Sequence, residues 1–361
     1  MKKIMILANS SSGLYDFRND LVRELLKKYE VIASLPDDSK VKELSDEGVR
    51  VIHTDINRRG VNPVQDLKLY FAYKKLLKQE KPDVVLTYTI KPNVYGGYAC
   101  RRLKIPYIVT VTGLGTTFQN EGMLKKLVTL MYRAGLKKAE YVFFQNSENM
   151  RIFRENRILG KKEKLVNGSG VDLDAHKVLE YPHKDRAQLL YIGRNMKDKG
   201  TDELLEAAVH YADDDRVSFK LLGYNDGDYE DILKDYASKG LVELHDFDKD
   251  VTRHIKECSA VILPTYHEGM SNVLQEAAAS GRPVIATDIP GCREIFEDGV
   301  TGFGCEPRSA QSLIEAIDRF LALSRDDRIE MGLKGRAKVE KEFDRKKITA
   351  DYLSAIDEVT A

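Results

Sequence analysis

Residues 263–288, LPTYHEGMSNVLQEAAASGRPVIATD, leave this chain few folds to choose from. Val261, Ile262 and Leu263 form an apolar run of the kind that a strand buried on both faces requires. Pro264 ends it, because proline has no N–H to give to a sheet ladder. Ser271 stands where a helix N-cap belongs, and Val273, Leu274, Ala277 and Ala278 recur at helical spacing until Gly281 closes the helix. Residues 283–287 restore an apolar run, the next strand. Such a unit predicts parallel strands joined by a helix. It places the amides of Ser271, Asn272 and Val273 at a helix N-terminus on the carboxyl edge of a sheet, where a diphosphate can bind.

The same alternation runs through the rest of the chain. Residues 3–8, 30–34, 49–54, 83–87, 107–111 and 141–145 read as strands, with helices over about 17–28, 39–47, 64–78 and 124–138 between them. Strands at 188–192 and 219–223 open a second set, which helices at 309–323, 325–342 and 344–359 complete. With 361 residues, the expectation is two doubly wound α/β domains, 1–168 and 169–343, followed by a final helix over 344–361.

Composition removes several classes. At 42% apolar and 32% charged residues the chain is globular rather than disordered. Cys100, Cys258, Cys292 and Cys305 show no CxxC spacing, which predicts a reduced, cytoplasmic protein without a cysteine-built metal site. The apolar start of the chain is cut short at Asn9 and reads as a strand rather than a signal peptide. No segment approaches the roughly 20 apolar residues that a membrane span needs. Charge is uneven: residues 1–170 hold 31 Lys and Arg against 18 Asp and Glu, and the remainder 26 against 39. A basic half can meet nucleic acid, anionic lipid or a phosphorylated substrate, and no nucleic-acid recognition motif is present to favour the first.

The candidate chemistry sits at strand ends. Glu268 and Glu276 flank the turn into the helix after Ser271; taken alone, they read as a loop carboxylate and a solvated helix residue. Gly193-Arg194 closes a strand and Lys199-Gly200 follows before the next helix, so two cations, Arg194 and Lys199, stand opposite a helix N-terminus, where surface charge is the ordinary reading. His267 adjoins Glu268 and can contact sugar or phosphate. The small-residue loop at 9–15 holds Gly13, a tight turn or a phosphate contact, with Arg18 nearby; GxGxxG is absent. Loops after two further strands carry Lys91 and Asn93, and Thr112, Gly113 and Thr116, where an open α/β sheet keeps its ligands or makes a structural turn; the resemblance named below implies an acceptor there. Asp246-Phe247-Asp248 has a metal-binding DxD spacing, but its place before a helix reads as a solvated cap. The helices at 64–78 and 124–138 carry Leu67, Tyr70, Phe71 and Leu77, and Leu127, Leu130, Met131 and Leu136, among lysines. Each is a core helix with snorkelling lysines or a face for anionic lipid.

Glu268-Gly269, Asn272-Val273-Leu274, Glu276-Ala277 and Ser280-Gly281-Arg282-Pro283-Val284 together resemble the ExxxxxxxE signature of the family 4 glycosyltransferases. Gly193-Arg194 with Lys199-Gly200 resembles that family's diphosphate clamp, and Asn167-Gly168 with Val171-Asp172 its interdomain turn. The loops at 88–93 and 112–118 are similar to those of the subgroup that builds bacterial capsule and lipid-linked oligosaccharides. The resemblance implies a GT-B fold: two Rossmann-like domains with parallel sheets facing across a cleft, and a C-terminal helix crossing back to the first. It implies a retaining, metal-independent transferase that moves a sugar, an N-acetylhexosamine or related hexose, from a UDP-sugar to a polyprenyl-diphosphate-linked or other glycan. Glu268 would hold donor-sugar hydroxyls and Glu276 the ribose, with Gly269, Met270, Ser271, Asn272 and Val273 around the donor. The histidine that many members carry near position 112 is absent, which excludes a mechanism resting on it. The alternatives are a GT-B-type sugar-nucleotide epimerase and a non-catalytic nucleotide-sugar-binding partner.

Overall fold

The computed structural model describes residues 1–57, 62–114, 122–183, 186–227 and 229–361. The chain divides into two compact units, Met1–Ser169 with Arg345–Ala361, and Gly170–Asp344.

In the first unit seven parallel strands, β1 (Lys3–Leu7), β2 (Glu30–Leu35), β3 (Arg50–His53), β4 (Val84–Tyr88), β5 (Tyr107–Val111), β6 (Tyr141–Phe144) and β7 (Lys162–Leu165), lie in the order β3-β2-β1-β4-β5-β6-β7. The helices are α1 (Ser11–Leu26), α2 (Val41–Asp46), α3 (Pro63–Glu80), α4 (Gly97–Leu103), α5 (Met123–Leu136) and α6 (Ser147–Glu155). Successive strand residues point to opposite faces, so Ile4 and Ile6 join one buried cluster while Met5 and Leu7 join another. Both faces must therefore be covered, which is why these strands read as unbroken apolar runs.

The second unit holds six parallel strands, β8 (Ala187–Ile192), β9 (Val217–Leu222), β10 (Glu243–His245), β11 (Ala260–Leu263), β12 (Val284–Thr287) and β13 (Gly302–Cys305), in the order β10-β9-β8-β11-β12-β13. Its helices are α7 (Thr201–His210), α8 (Tyr229–Ser238), α9 (Val251–Glu257), α10 (Asn272–Ala279), α11 (Ala310–Leu321) and α12 (Arg325–Glu342). The last helix, α13 (Arg345–Thr360), belongs to the first unit. Its Ile348, Tyr352 and Ile356 share the cluster of Ile4 and Ile6, and Tyr352 stacks on Phe143 with centroids 4.2 Å apart.

Three sequence expectations need correction. Helix α1 starts at Ser11, not near residue 17, because Ser10 caps it by accepting the Gly13 amide at 3.2 Å. The stretch after β4 is helical rather than a loop: Pro92–Gly96 makes a π-helical turn that runs into α4. Strands β7 and β10 are additions, and both are edge strands whose polar residues, Lys162, Glu163, Glu243 and His245, hide the strand pattern.

Candidate active site

In each sheet the strand order reverses once, between β1 and β4 and between β8 and β11. A doubly wound sheet opens a crevice at the carboxyl edge there, since neighbouring connections leave in opposite directions.

The crevice of the second unit joins the loop after β8 to the loop after β11. Lys199 ends a short 3-10 turn, Lys197–Lys199, and its ammonium donates to Glu268 Oε1 at 2.5 Å; both side chains are largely shielded from solvent. Gly200 makes this approach feasible. Its φ is +73°, and a Cβ there would stand 2.0 Å from the Pro264 carbonyl oxygen, so no other residue lets the loops close on one another. The Tyr266 amide and the Thr265 hydroxyl both donate to the Asp198 carbonyl, at 2.9 and 3.3 Å, and lock the two loops together. Glu268 is backed by Gly291, where a Cβ would meet the Glu268 carbonyl oxygen at 2.8 Å.

Helix α10 follows, with Ser271 as N-cap accepting the Leu274 amide at 3.4 Å. The Ser271 amide donates to the Gly291 carbonyl at 2.8 Å, which removes it from the anion-binding amides expected from the sequence. Asn272 and Val273 begin the helix, half-buried, and Glu276 lies one turn further along, also half-buried. Gly269 is half-buried in the turn, whereas the Met270 side chain belongs to the core, so a donor would meet only its backbone. Arg194, half exposed, lies 3.9 Å from Asp226, and its carbonyl accepts the Tyr191 hydroxyl. Partial burial, aided by the cations Arg308 and Lys199, holds the His267 imidazole below its ordinary pKa against the pull of Asp198 and Glu268. That shift favours the neutral imidazole over the cation.

In the first unit, Asn9, Ile56, Thr89, Ile90, Lys91, Thr112 and Gly113 line a cavity of about 240 Å³ at the carboxyl ends of the central strands. Lys91 is largely buried and donates to buried Asp66 at 2.8 Å. Asn93 is fully buried, and its amide is used by the fold, donating to the Thr110 carbonyl and accepting from the Thr87 hydroxyl. Thr116 lies outside the described residues. Gly13 is in this unit, its amide taken by the Ser10 cap, and the α1 N-terminus already receives the Asp37 carboxylate at the Ser11 amide. That internal anion occupies the place a phosphate would take. Asp248 of the DxD spacing accepts the Asp250 amide at 3.0 Å and pairs with Arg253 and His254, as a cap does.

Two features escape a reading of the sequence. Thr89, a β-branched residue, has φ +71° at the lip of that first-unit cavity, and its buried hydroxyl has no partner among the described residues. Strain of this kind persists where the surroundings impose it, commonly at functional sites. Arg308, also left-handed at φ +61°, sets its guanidinium over the Tyr266 ring at 5.0 Å, beside His267. Neither left-handed residue is a glycine, so neither carries the usual sequence signal.

Residues 186–322 match the family model for Glycosyl transferases group 1, and residues 3–146 match that for Glycosyl transferase 4-like. The chain is 26% identical to the N,N'-diacetylbacillosaminyl-diphospho-undecaprenol alpha-1,3-N-acetylgalactosaminyltransferase of Campylobacter jejuni, over 99% of each protein. It is also 26% identical to the UDP-Gal:alpha-D-GlcNAc-diphosphoundecaprenol alpha-1,3-galactosyltransferase of Escherichia coli, across 76% of this chain and 75% of that one. Among solved structures it is similar to Anabaena HepE in complex with UDP and glucose, with a TM-score of 0.81 at 18% identity, covering 99% of this chain and 100% of that one. Sucrose-phosphate synthase from Thermosynechococcus elongatus gives a TM-score of 0.80 at 19% identity, covering 99% of both chains.

Proposed function

Because this chain belongs to the family 4 glycosyltransferases, described by the group 1 and 4-like models, we propose that it transfers a hexose or N-acetylhexosamine from a UDP-sugar to a polyprenyl-diphosphate-linked glycan. The observation that carries this reading is the Lys199–Glu268 pair at the topological switch of the second unit, beside the N-terminus of α10. One cation and one carboxylate side by side suit a ligand that has a diphosphate at one end and sugar hydroxyls at the other. The second unit then takes the donor and the first the acceptor. The relatives from Campylobacter jejuni and Escherichia coli, named for lipid-linked acceptors, support that choice of acceptor.

Breaking the bond between the sugar and the diphosphate leaves positive charge on the anomeric carbon and negative charge on the departing phosphate. Lys199, Arg194 and the start of α10 at Asn272 and Val273 stabilise the phosphate as it leaves. Glu268 accepts hydroxyls of the sugar and orients it, and Glu276 accepts those of the ribose. The acceptor hydroxyl attacks the anomeric carbon from the face the phosphate departs, its proton passing to the departing phosphate as the sugar–phosphate bond breaks, so configuration is retained, and protein cations do the work a metal would otherwise do. Isothermal titration tests the donor assignment: UDP-sugars are expected to bind equally well with and without excess EDTA, while loss of binding in EDTA would contradict it.

The acceptor's lipid places the enzyme at a bilayer. Val64, Leu67 and Phe71 on α3, and Met123, Leu124, Leu127 and Leu130 on α5, are exposed apolar side chains, and Lys68, Lys75 and Lys126 are exposed around them. Such a face suits an anionic membrane surface. Sedimentation with phosphatidylglycerol vesicles, and not with phosphatidylcholine vesicles, is expected, reversed by salt; equal binding to both would contradict it.

A further inference from the structure

Helix α3 and the edge strand β3 leave a groove of about 700 Å³ between them. Its floor is apolar, made by Ile52 of β3, by Ile56 just after it, and by Leu69, Ala72 and Leu76 of α3. The cause lies in the sheet. β3 is the last strand on its side, with no neighbour beyond it, and Ile52 and Ile56 are only half-buried against the cluster that holds Leu69 and Leu76. We propose that this groove receives the first isoprene units of the acceptor lipid, with the diphosphate held at its rim by Lys68 and Lys75. The inference rests on the polyprenyl-linked acceptor of the proposed function and adds a site for the part of that molecule between its sugar and the bilayer.

The surroundings of the groove suit a ligand with an apolar chain and an anionic head. Ile56 is shared with the 240 Å³ cavity at the carboxyl ends of the central strands, and the Asp66 carboxylate on the groove side holds the Lys91 ammonium on the cavity side at 2.8 Å. An acceptor whose sugar enters the smaller cavity therefore passes directly into the groove. The other wall leads toward the exposed apolar stripe of α3. At about 3.6 residues per turn, Val64, Leu67 and Phe71 fall along one line of the helix and Ala72 and Leu76 along another, with Lys68 and Lys75 on the ridge between them. A lipid crossing that ridge keeps apolar contact on either side, while its phosphates meet ammonium groups. Both lysines are exposed, and neither forms an ion pair among the described residues. The Asp55 carboxylate, which also lines the groove, is taken by His53 at 3.0 Å. Sites that enclose a drug-sized molecule measure about 300–1,000 Å³, so the groove holds a few isoprene units and leaves the rest of the chain to the membrane.

Titration calorimetry with farnesyl diphosphate, a short soluble stand-in for the lipid end, tests this in saturating UDP, which keeps the probe off the second unit. The wild type is expected to bind it at least roughly tenfold more tightly than inorganic pyrophosphate. Ala72 is exposed, so Ala72→Trp fills the groove without displacing core side chains. It is expected to weaken farnesyl diphosphate about 10- to 100-fold, and to leave UDP affinity and adsorption to phosphatidylglycerol vesicles as in the wild type. The double variant Lys68→Gln, Lys75→Gln, which alters no packing, weakens farnesyl diphosphate and leaves farnesol binding unchanged. In turnover, KM for a farnesyl-diphospho-sugar acceptor rises in Ala72→Trp while KM for the UDP-sugar holds. A wild type that binds farnesyl diphosphate no better than pyrophosphate would overturn the groove, as would wild-type affinity in Ala72→Trp. Dimers seen by sedimentation velocity in the wild type and lost in Ala72→Trp, with farnesyl diphosphate bound equally by both, would give the groove to a second copy of the chain. Farnesyl diphosphate binding that Ala72→Trp abolishes, in a protein that extends no acceptor, would keep a prenyl diphosphate site and remove the transferase reading, so the two fail separately.

Discussion

Glu268→Ala is expected to lower kcat for sugar transfer by about 100- to 1,000-fold while the affinity for UDP is kept or strengthened. The two halves of that expectation come from one contact. Glu268 is the carboxylate next to Lys199, at 2.5 Å, in a turn where both are mostly shielded. Removing it deprives the donor sugar of an acceptor that orients it, so the loss appears where the sugar must be aligned for attack. It also frees the Lys199 ammonium for the diphosphate. Glu268→Gln keeps one acceptor oxygen and is expected to fall between the two. A variant in which kcat and UDP affinity fall together would show that Glu268 supports the loop and does not address the sugar.

Arg282 carries the largest expected effect on stability. It is fully buried between the end of α10 and the start of β12, and among the described residues no carboxylate is hydrogen-bonded to it. Its guanidinium donates instead to four carbonyls, those of Ile255 and Lys256 in the last turn of α9 and those of Leu179 and Glu180. The ring of Tyr181 lies 5.3 Å below it. The C-terminal carbonyls of a helix lack intrahelical donors and carry the negative end of its dipole, so a buried cation there answers both needs. Arg282→Leu leaves the four carbonyls without these donors and is expected to cost roughly 3–5 kcal/mol, read as a lower urea midpoint for the second unit. Arg282→Lys rescues only part, because an ammonium lacks the planar fork that spans the separated acceptors. Wild-type unfolding of Arg282→Leu would contradict this account.

How much of this could be read from residues alone follows from burial. Central strands such as β4, β5 and β11 are buried on both faces, and their apolar runs announce them. Edge strands β7 and β10 are polar and do not. The start of α1 was hidden because serines serve loops and N-caps alike, and only the Ser10 hydroxyl's contact with the Gly13 amide decides between them. Helical period gives a stripe but not its destination: Leu69, Tyr73 and Leu77 of α3 go inward, while Leu67 and Phe71 stay exposed. Local motifs single out Arg194, Lys199 and Glu268, and the structure brings Lys199 and Glu268 together. The engagement of the Ser271 amide by Gly291 is not legible in such motifs, nor is the burial of Asn93, since both depend on partners distant in the chain.

The central claim is group transfer, and product analysis tests it most directly. Wild-type protein incubated with a panel of UDP-sugars and a short polyprenyl-diphospho-sugar is expected to extend the acceptor by one residue with the donor's anomeric configuration retained, to do so in excess EDTA, and to lose this activity in Glu268→Ala. A folded wild type that leaves every acceptor unextended and instead epimerises the nucleotide-sugar without one would contradict the account.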